Sequence, residues 1–110
     1  MRTHTFLQLH LLQVIRALAK KVSRQFSLKS YKIDLFDHND PERKLSYGLC
    51  YPDGHIYIDL HNRRSRKYGR LESIIDTVVH ELAHLKYPNH SRQFWASHKK
   101  MKQWVYKKLY

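Results

Sequence analysis

One cysteine, three glycines, three prolines and nine acidic residues are all that this chain of 110 residues contains, and each shortage excludes something. A single thiol, Cys50, cannot build an intramolecular disulfide framework. Without a second thiol beside it, it reads as a strand residue rather than a metal ligand. So little glycine and proline, with no low-complexity stretch and no internal repeat, leaves no linker. Residues 1–110 are therefore expected to form a single domain, and 42% hydrophobic residues suffice for one core. Long apolar runs are also missing. The best candidate, Phe6 to Ala19, is interrupted by Gln8, His10, Gln13 and Arg16, so it suits neither a signal peptide nor a membrane span. Together with the scarce cysteine, this points to a cytoplasmic protein with no membrane partner.

Against these shortages stands an abundance of histidine, and five residues organise it: His80-Glu81-Leu82-Ala83-His84. On an α-helix, residues four apart lie on nearly the same face, so His80 and His84 can grip one metal ion while Glu81 leans over its open side. Zinc is the expected ion, one per chain, because neutral imidazole suits it and three protein ligands leave a fourth position for water. The flanks support a helix. Leu71, Ile75, Val78, Leu82 and Leu85 form one apolar stripe at helical spacing, with His80 and His84 roughly opposite.

The third ligand follows by elimination. No acidic residue occurs after Glu81, so a downstream carboxylate ligand is excluded and His90 and His98 remain. His90 is favoured, because Pro88 cannot continue a helix and Asn89 tolerates a left-handed turn that would bring the chain back toward the metal. His98 belongs to a second stripe, Phe94, His98, Met101, Val105 and Leu109, where a buried, hydrogen-bonded core histidine is expected.

Residues 80 to 95, His-Glu-Leu-Ala-His-Leu-Lys-Tyr-Pro-Asn-His-Ser-Arg-Gln-Phe-Trp, resemble the zinc site of YgjP-like and SprT/WLM-like metallopeptidases, most closely in Asn89-His90-Ser91 and Phe94-Trp95. More loosely, the resemblance extends upstream through Gly48 and the Gly54 to Leu60 strand. It implies a compact zincin fold, His80, His84 and His90 as zinc ligands, and Glu81 as the catalytic acid/base. The interval from His80 to His90 also matches metzincins. Tyr87 stands where that group needs glycine, however, and no Met-turn is visible, so that subgroup is rejected.

Along the whole chain the pattern reads as α+β. An amphipathic helix over about residues 4 to 26 places Leu7, Leu11, Val14, Ile15, Leu18 and Val22 on one face. Tyr31, Ile33 and Leu35 alternate as a first strand, Asp37 to Lys44 reads as a loop, and Leu45 to Tyr51 enters a hairpin turned by Pro52, Asp53 and Gly54. His55 to Leu60 alternates as the last strand before the His80 helix. A zincin-like single domain results: N-terminal helix, small three-stranded mostly antiparallel sheet, active-site helix and C-terminal helix. If that last strand has an exposed edge, it can pair with an extended peptide beside the metal.

The chemistry expected of such a site is hydrolysis of a peptide bond in a protein or peptide substrate. Zinc lowers the pKa of its water toward about 7, and Glu81 takes the proton and delivers it to the leaving amine. The oxyanion donor stays unassigned among Tyr87, His55 and His98, and Asp76 and Thr77 are candidates to orient the imidazoles. A formal charge of +12 adds a second theme. Arg63, Arg64, Arg66, Lys67 and Arg70, with Tyr68, and Lys99, Lys100, Lys102, Lys107 and Lys108, with Trp104 and Tyr106, are candidate nucleic-acid contacts. Two other classes fit the same motif: a metal-dependent hydrolase of a nucleotide phosphoanhydride, and a non-enzymatic zinc-stapled nucleic-acid-binding module.

Overall fold

Apolar residues recur three and four apart in three segments and alternate in three others, and the elements follow that division. The computed structural model describes residues 6–36, 47–60 and 71–109. In chain order the elements are α1 (Phe6–Phe26), β1 (Lys32–Leu35), β2 (Gly48–Cys50), β3 (His55–Ile58), α2 (Leu71–His84) and α3 (Arg92–Leu109). The Asp37 to Lys44 loop and the Arg63 to Arg70 cluster of the sequence reading lie outside the described residues.

The sheet order is β1-β3-β2. β1 runs parallel to β3, with Ile33 opposite Ile56, and β2 runs antiparallel to it, with Leu49 opposite Tyr57. The fold is α+β, as read from the sequence, but the sheet is evenly mixed rather than mostly antiparallel. Alternation fixes which face of a strand is buried and says nothing about its direction. The hairpin closes where expected: the Gly54 amide bonds the Tyr51 carbonyl at 2.9 Å, and Gly54 takes φ 92°, a conformation few other residues adopt.

This order settles one open condition. The strand beginning at His55 is central, paired on both sides, and offers no edge to a peptide. β2 is an outer strand of the described sheet, and α2 packs directly on it. Gly48 makes that contact possible: a Cβ there would lie 2.8 Å from Thr77 Cγ2 and 2.9 Å from Glu81 Oε2.

Ile33, Leu35, Ile56 and Ile58 face the helices, where they meet Val78, Val79 and Leu82 of α2 and Phe94, Met101 and Val105 of α3 in one core. α2 is buried more broadly than a single stripe. Ile74, Val79 and Ala83 are buried too, and Leu71 is exposed, because α1, α3 and the sheet surround the helix. α1 turns Leu12, Ile15, Ala19 and Val22 inward and leaves Leu7 and Val14 about half exposed, a shift from the predicted stripe. Ala19, completely buried, adds no bulk where α1 meets the core. No helix among the described residues is long and apolar enough to cross a membrane.

Candidate metal centre

α2 ends immediately after His84. The amides of Lys86 and Tyr87 bond back to the Ala83 carbonyl at 3.1 and 3.0 Å, and Pro88 cannot extend the helix. α3 then starts on a cap: Ser91 Oγ accepts the Phe94 amide at 3.2 Å. His90 is held in the short span between these two fixed ends. The turn does not use a left-handed Asn89, since Ser27 is the only non-glycine residue with positive φ among the described residues.

Three imidazoles converge there. His90 Nε2 lies 3.1 Å from His80 Nε2 and 3.1 Å from His84 Nε2, and one ligand atom from each residue falls within 4.8 Å of the other two. The His84 tautomer is fixed by its far side. The Tyr87 carbonyl, 3.1 Å from Nδ1, can only accept, so the proton sits on Nδ1 and the Nε2 lone pair points at the cluster. A single proton on His90 Nε2 could serve only one of its two neighbours. A shared cation satisfies all three: tetrahedral zinc with Zn–N of about 2.0–2.1 Å sets neighbouring nitrogens roughly 3.3 Å apart. The residues present therefore fit a metal ion.

Phe94, fully buried, is the platform for the rings. It stacks on His84 at 4.4 Å and meets His80 and His90 edge-on, both at 4.9 Å. Its burial contributes roughly 1.5–3 kcal/mol to the same fold that aims the rings. Trp95, half exposed, stacks on His90 at 5.6 Å and meets His80 edge-on at 5.7 Å. Helical spacing puts Phe94 in the core stripe, where it is buried, but assigns neither aromatic a part beside the imidazoles. The sequence signal for them is the Phe94-Trp95 pair in the resemblance over residues 80–95, which the first turns of α3 carry.

Burial also sets the charge state. It lowers His80 to about 4, helped by His84, His98 and His90, and it lowers His84 as well. Both imidazoles are neutral near pH 7, the form that coordinates. Glu81 is 6% exposed, and burial raises its carboxyl to about 7, within the range where a group can both take and return a proton. Cys50 lies in β2 and is half-buried; burial and the nearby Glu81 charge push its thiol up to about 11, which makes it a poor nucleophile.

The other candidates separate. His98 is buried and its ring lies 5.4 Å from that of His80, but the expected hydrogen bond is not formed: Nε2 stops 3.6 Å from Asp76 Oδ1. Asp76 pairs instead with Lys102 at 2.8 Å, joining α2 to α3. Thr77 donates to the Ser73 carbonyl of its own helix and orients no imidazole. Tyr87 contributes its carbonyl, while its side chain packs against the core. His55 is engaged by Asp34 at 2.9 Å and stacked on Tyr57, away from the imidazole cluster.

Comparison with known proteins agrees with this architecture. A Wss1 mutant from Saccharomyces cerevisiae superposes with a TM-score of 0.75 at 20% identity, covering 91% of this chain and 80% of that one. Wss1 from S. pombe gives 0.70 at 22% identity, covering 88% and 79%. No curated protein gives a match. Of the two groups that residues 80–95 resemble, the WLM group is the one matched at family level. The model of the WLM domain aligns with residues 8–109, and the chain belongs to that family.

Proposed function

We propose that this protein is a zinc metallopeptidase in which His80, His84 and His90 hold the ion and Glu81 is the general acid/base. Family membership supports the coarser statement, a metallopeptidase type of function. The observation that carries the finer one is the meeting of three Nε2 atoms, 3.1 Å apart in two of the three pairs, beside a buried carboxylate held near neutrality.

Zinc bound there would polarise a carbonyl and acidify water. The chain's own residues do the rest. Glu81, buried beside the imidazoles, accepts the proton of the attacking water and returns it to the leaving amine. His84, oriented by the Tyr87 carbonyl, and Phe94 beneath the rings keep the constellation fixed before substrate arrives. Trp95 offers an exposed aromatic face to the substrate chain. The +12 charge supports action near nucleic acid, and of the C-terminal lysines Lys102 is committed to Asp76 while Lys99, Lys100, Lys107 and Lys108 are exposed.

Cleavage of unfolded protein substrates and of nucleotide phosphoanhydrides by the wild type and by Glu81→Gln, with bound metal quantified, tests this reading. Protein cleavage that disappears in Glu81→Gln while zinc stays bound supports it. Nucleotide turnover lost in its place identifies a different hydrolase, and neither activity in the wild type leaves a structural zinc site.

A further inference from the structure

Asp76 and His98 meet beside His80, and each presents a polar atom that the fold has buried without satisfying. Asp76 stands one turn before His80 on α2, and His98 one turn after Phe94 on α3. His98 is 8% exposed, and neither its Nε2 nor Asp76 Oδ1 has a hydrogen-bond partner among the described residues. The two atoms are 3.6 Å apart. Lys102 Nζ approaches the same oxygen to 2.8 Å, as an ion pair off the line of a hydrogen bond. A ring needed only for packing would be better supplied by phenylalanine, which strands no polar group. The nitrogen of His98 therefore calls for a role, and the oxygen opposite it supplies the partner.

We propose that His98 is a positioning residue for His80: a hydrogen bond from its Nε2 to Asp76 Oδ1 locks its ring as the wall against which His80 presents its own Nε2 to the metal. His84 is oriented through Nδ1 by the Tyr87 carbonyl. His80 is held by rings instead, meeting Phe94 at 4.9 Å, His98 at 5.4 Å and Trp95 at 5.7 Å, all edge-on. His98 in turn stacks on Phe94 at 6.0 Å, a contact that does not distinguish its ring from the same ring flipped by half a turn. A partner on Nε2 does. A carboxylate only accepts, so the proton that faces it sits on His98 Nε2. Closing 3.6 Å to a hydrogen bond of about 2.9 Å needs a turn of the Asp76 side chain, 44% exposed, away from Lys102. Lys102 thus competes with His98 for one oxygen, and the two have different effects: losing His98 or Asp76 loosens His80, and losing Lys102 does not. The inference rests on the three-histidine zinc reading and adds the group that sets the angle of its first ligand.

Two measurements on the zinc-loaded full chain test this. In a long-range proton–nitrogen correlation spectrum His98 should carry a proton on Nε2, and a proton on Nδ1 alone overturns the proposal. Zinc release to excess chelator should be about tenfold faster than wild type in His98→Phe and in Asp76→Asn, and no faster than that in the double variant, because both remove one hydrogen bond. His98→Gln, which keeps a donor near the position of Nε2, should restore most of the wild-type rate. Lys102→Gln should not speed release. At equilibrium zinc stays bound in every variant, since all three ligands are intact. Circular dichroism checks folding, and Asp76→Asn carries the test if His98→Phe does not fold. Wild-type release rates in the folded variants overturn the positioning role and leave the zinc reading standing. Release from Lys102→Gln as fast as from Asp76→Asn would make Asp76 a clamp between α2 and α3 and overturn it too. A wild type that takes up no zinc removes the zinc reading itself, and this inference with it.

Discussion

Gly48 and Glu81 meet across the β2–α2 boundary: a Cβ on the glycine would stand 2.9 Å from both Cγ and Oε2 of the glutamate. An outer strand therefore fixes where the carboxylate can be. Gly48→Ala is expected to push Glu81 and Thr77 aside, costing about 1–3 kcal/mol in stability through overpacking and lowering peptide cleavage by about tenfold or more. Zinc content should be unchanged, since no ligand touches Gly48. Full cleavage by a folded Gly48→Ala chain would show that the close approach does not position Glu81.

The raised carboxyl of Glu81 has a consequence for the metal-free protein. In the unfolded chain Glu81 releases its proton near 4.5, whereas the folded chain keeps it up to about 7. Between those values the folded state binds more protons, so this group's contribution to stability falls as pH rises through the window. His80, lowered from 6.5 to about 4, acts in the opposite sense and adds stability as pH rises from about 4 to 6.5. Comparing Glu81→Gln with wild type removes the histidine contribution. The variant should gain nothing below pH 4.5 and about 3 kcal/mol relative to wild type at pH 8. Chemical denaturation of both proteins after chelation measures this, and a pH-independent difference would mean Glu81 is not buried as described.

Much of the site was legible because its parts are local. The four-residue interval between His80 and His84 fixes a shared helix face, and the absence of acidic residues after Glu81 narrowed the third imidazole to two. What sequence could not supply was non-local. The direction of β1 depends on how the chain returns between β1 and β2, not on the alternation of Ile33 and Leu35. Whether the strand beginning with His55 has a free edge was unreadable for the same reason, since strand order is a property of the assembled sheet. The left-handed turn expected at Asn89 was unnecessary, because the last turn of α2 and the Ser91 cap already redirect the backbone.

His90 and His98 both approach His80, with ring centroids 5.1 and 5.4 Å away, yet only His90 brings a nitrogen to the cluster. His90→Ala should lower zinc retention at least about a hundredfold, as loss of one of three protein ligands would. His98→Ala should retain zinc and lose stability from the vacated core position instead. Competition titration with a chelator separates the two, and the reverse order of effects would transfer the ligand role to His98.

Trp95 stacks on His90 with its outer face in solvent. Trp95→Ala should raise KM for peptide substrates severalfold more than it lowers kcat, with zinc still bound, because a substrate wall contributes binding rather than chemistry. Equal loss in kcat with KM unchanged would place Trp95 in a different role.

X-ray absorption at the zinc edge of the loaded wild type is the most direct measurement of all, because it reports the ligand set itself. Three imidazole nitrogens at about 2.0 Å and one further light-atom neighbour without imidazole scattering are expected, with one imidazole fewer in His90→Ala. Four imidazoles, or a spectrum unaltered by His90→Ala, would contradict an open three-histidine site.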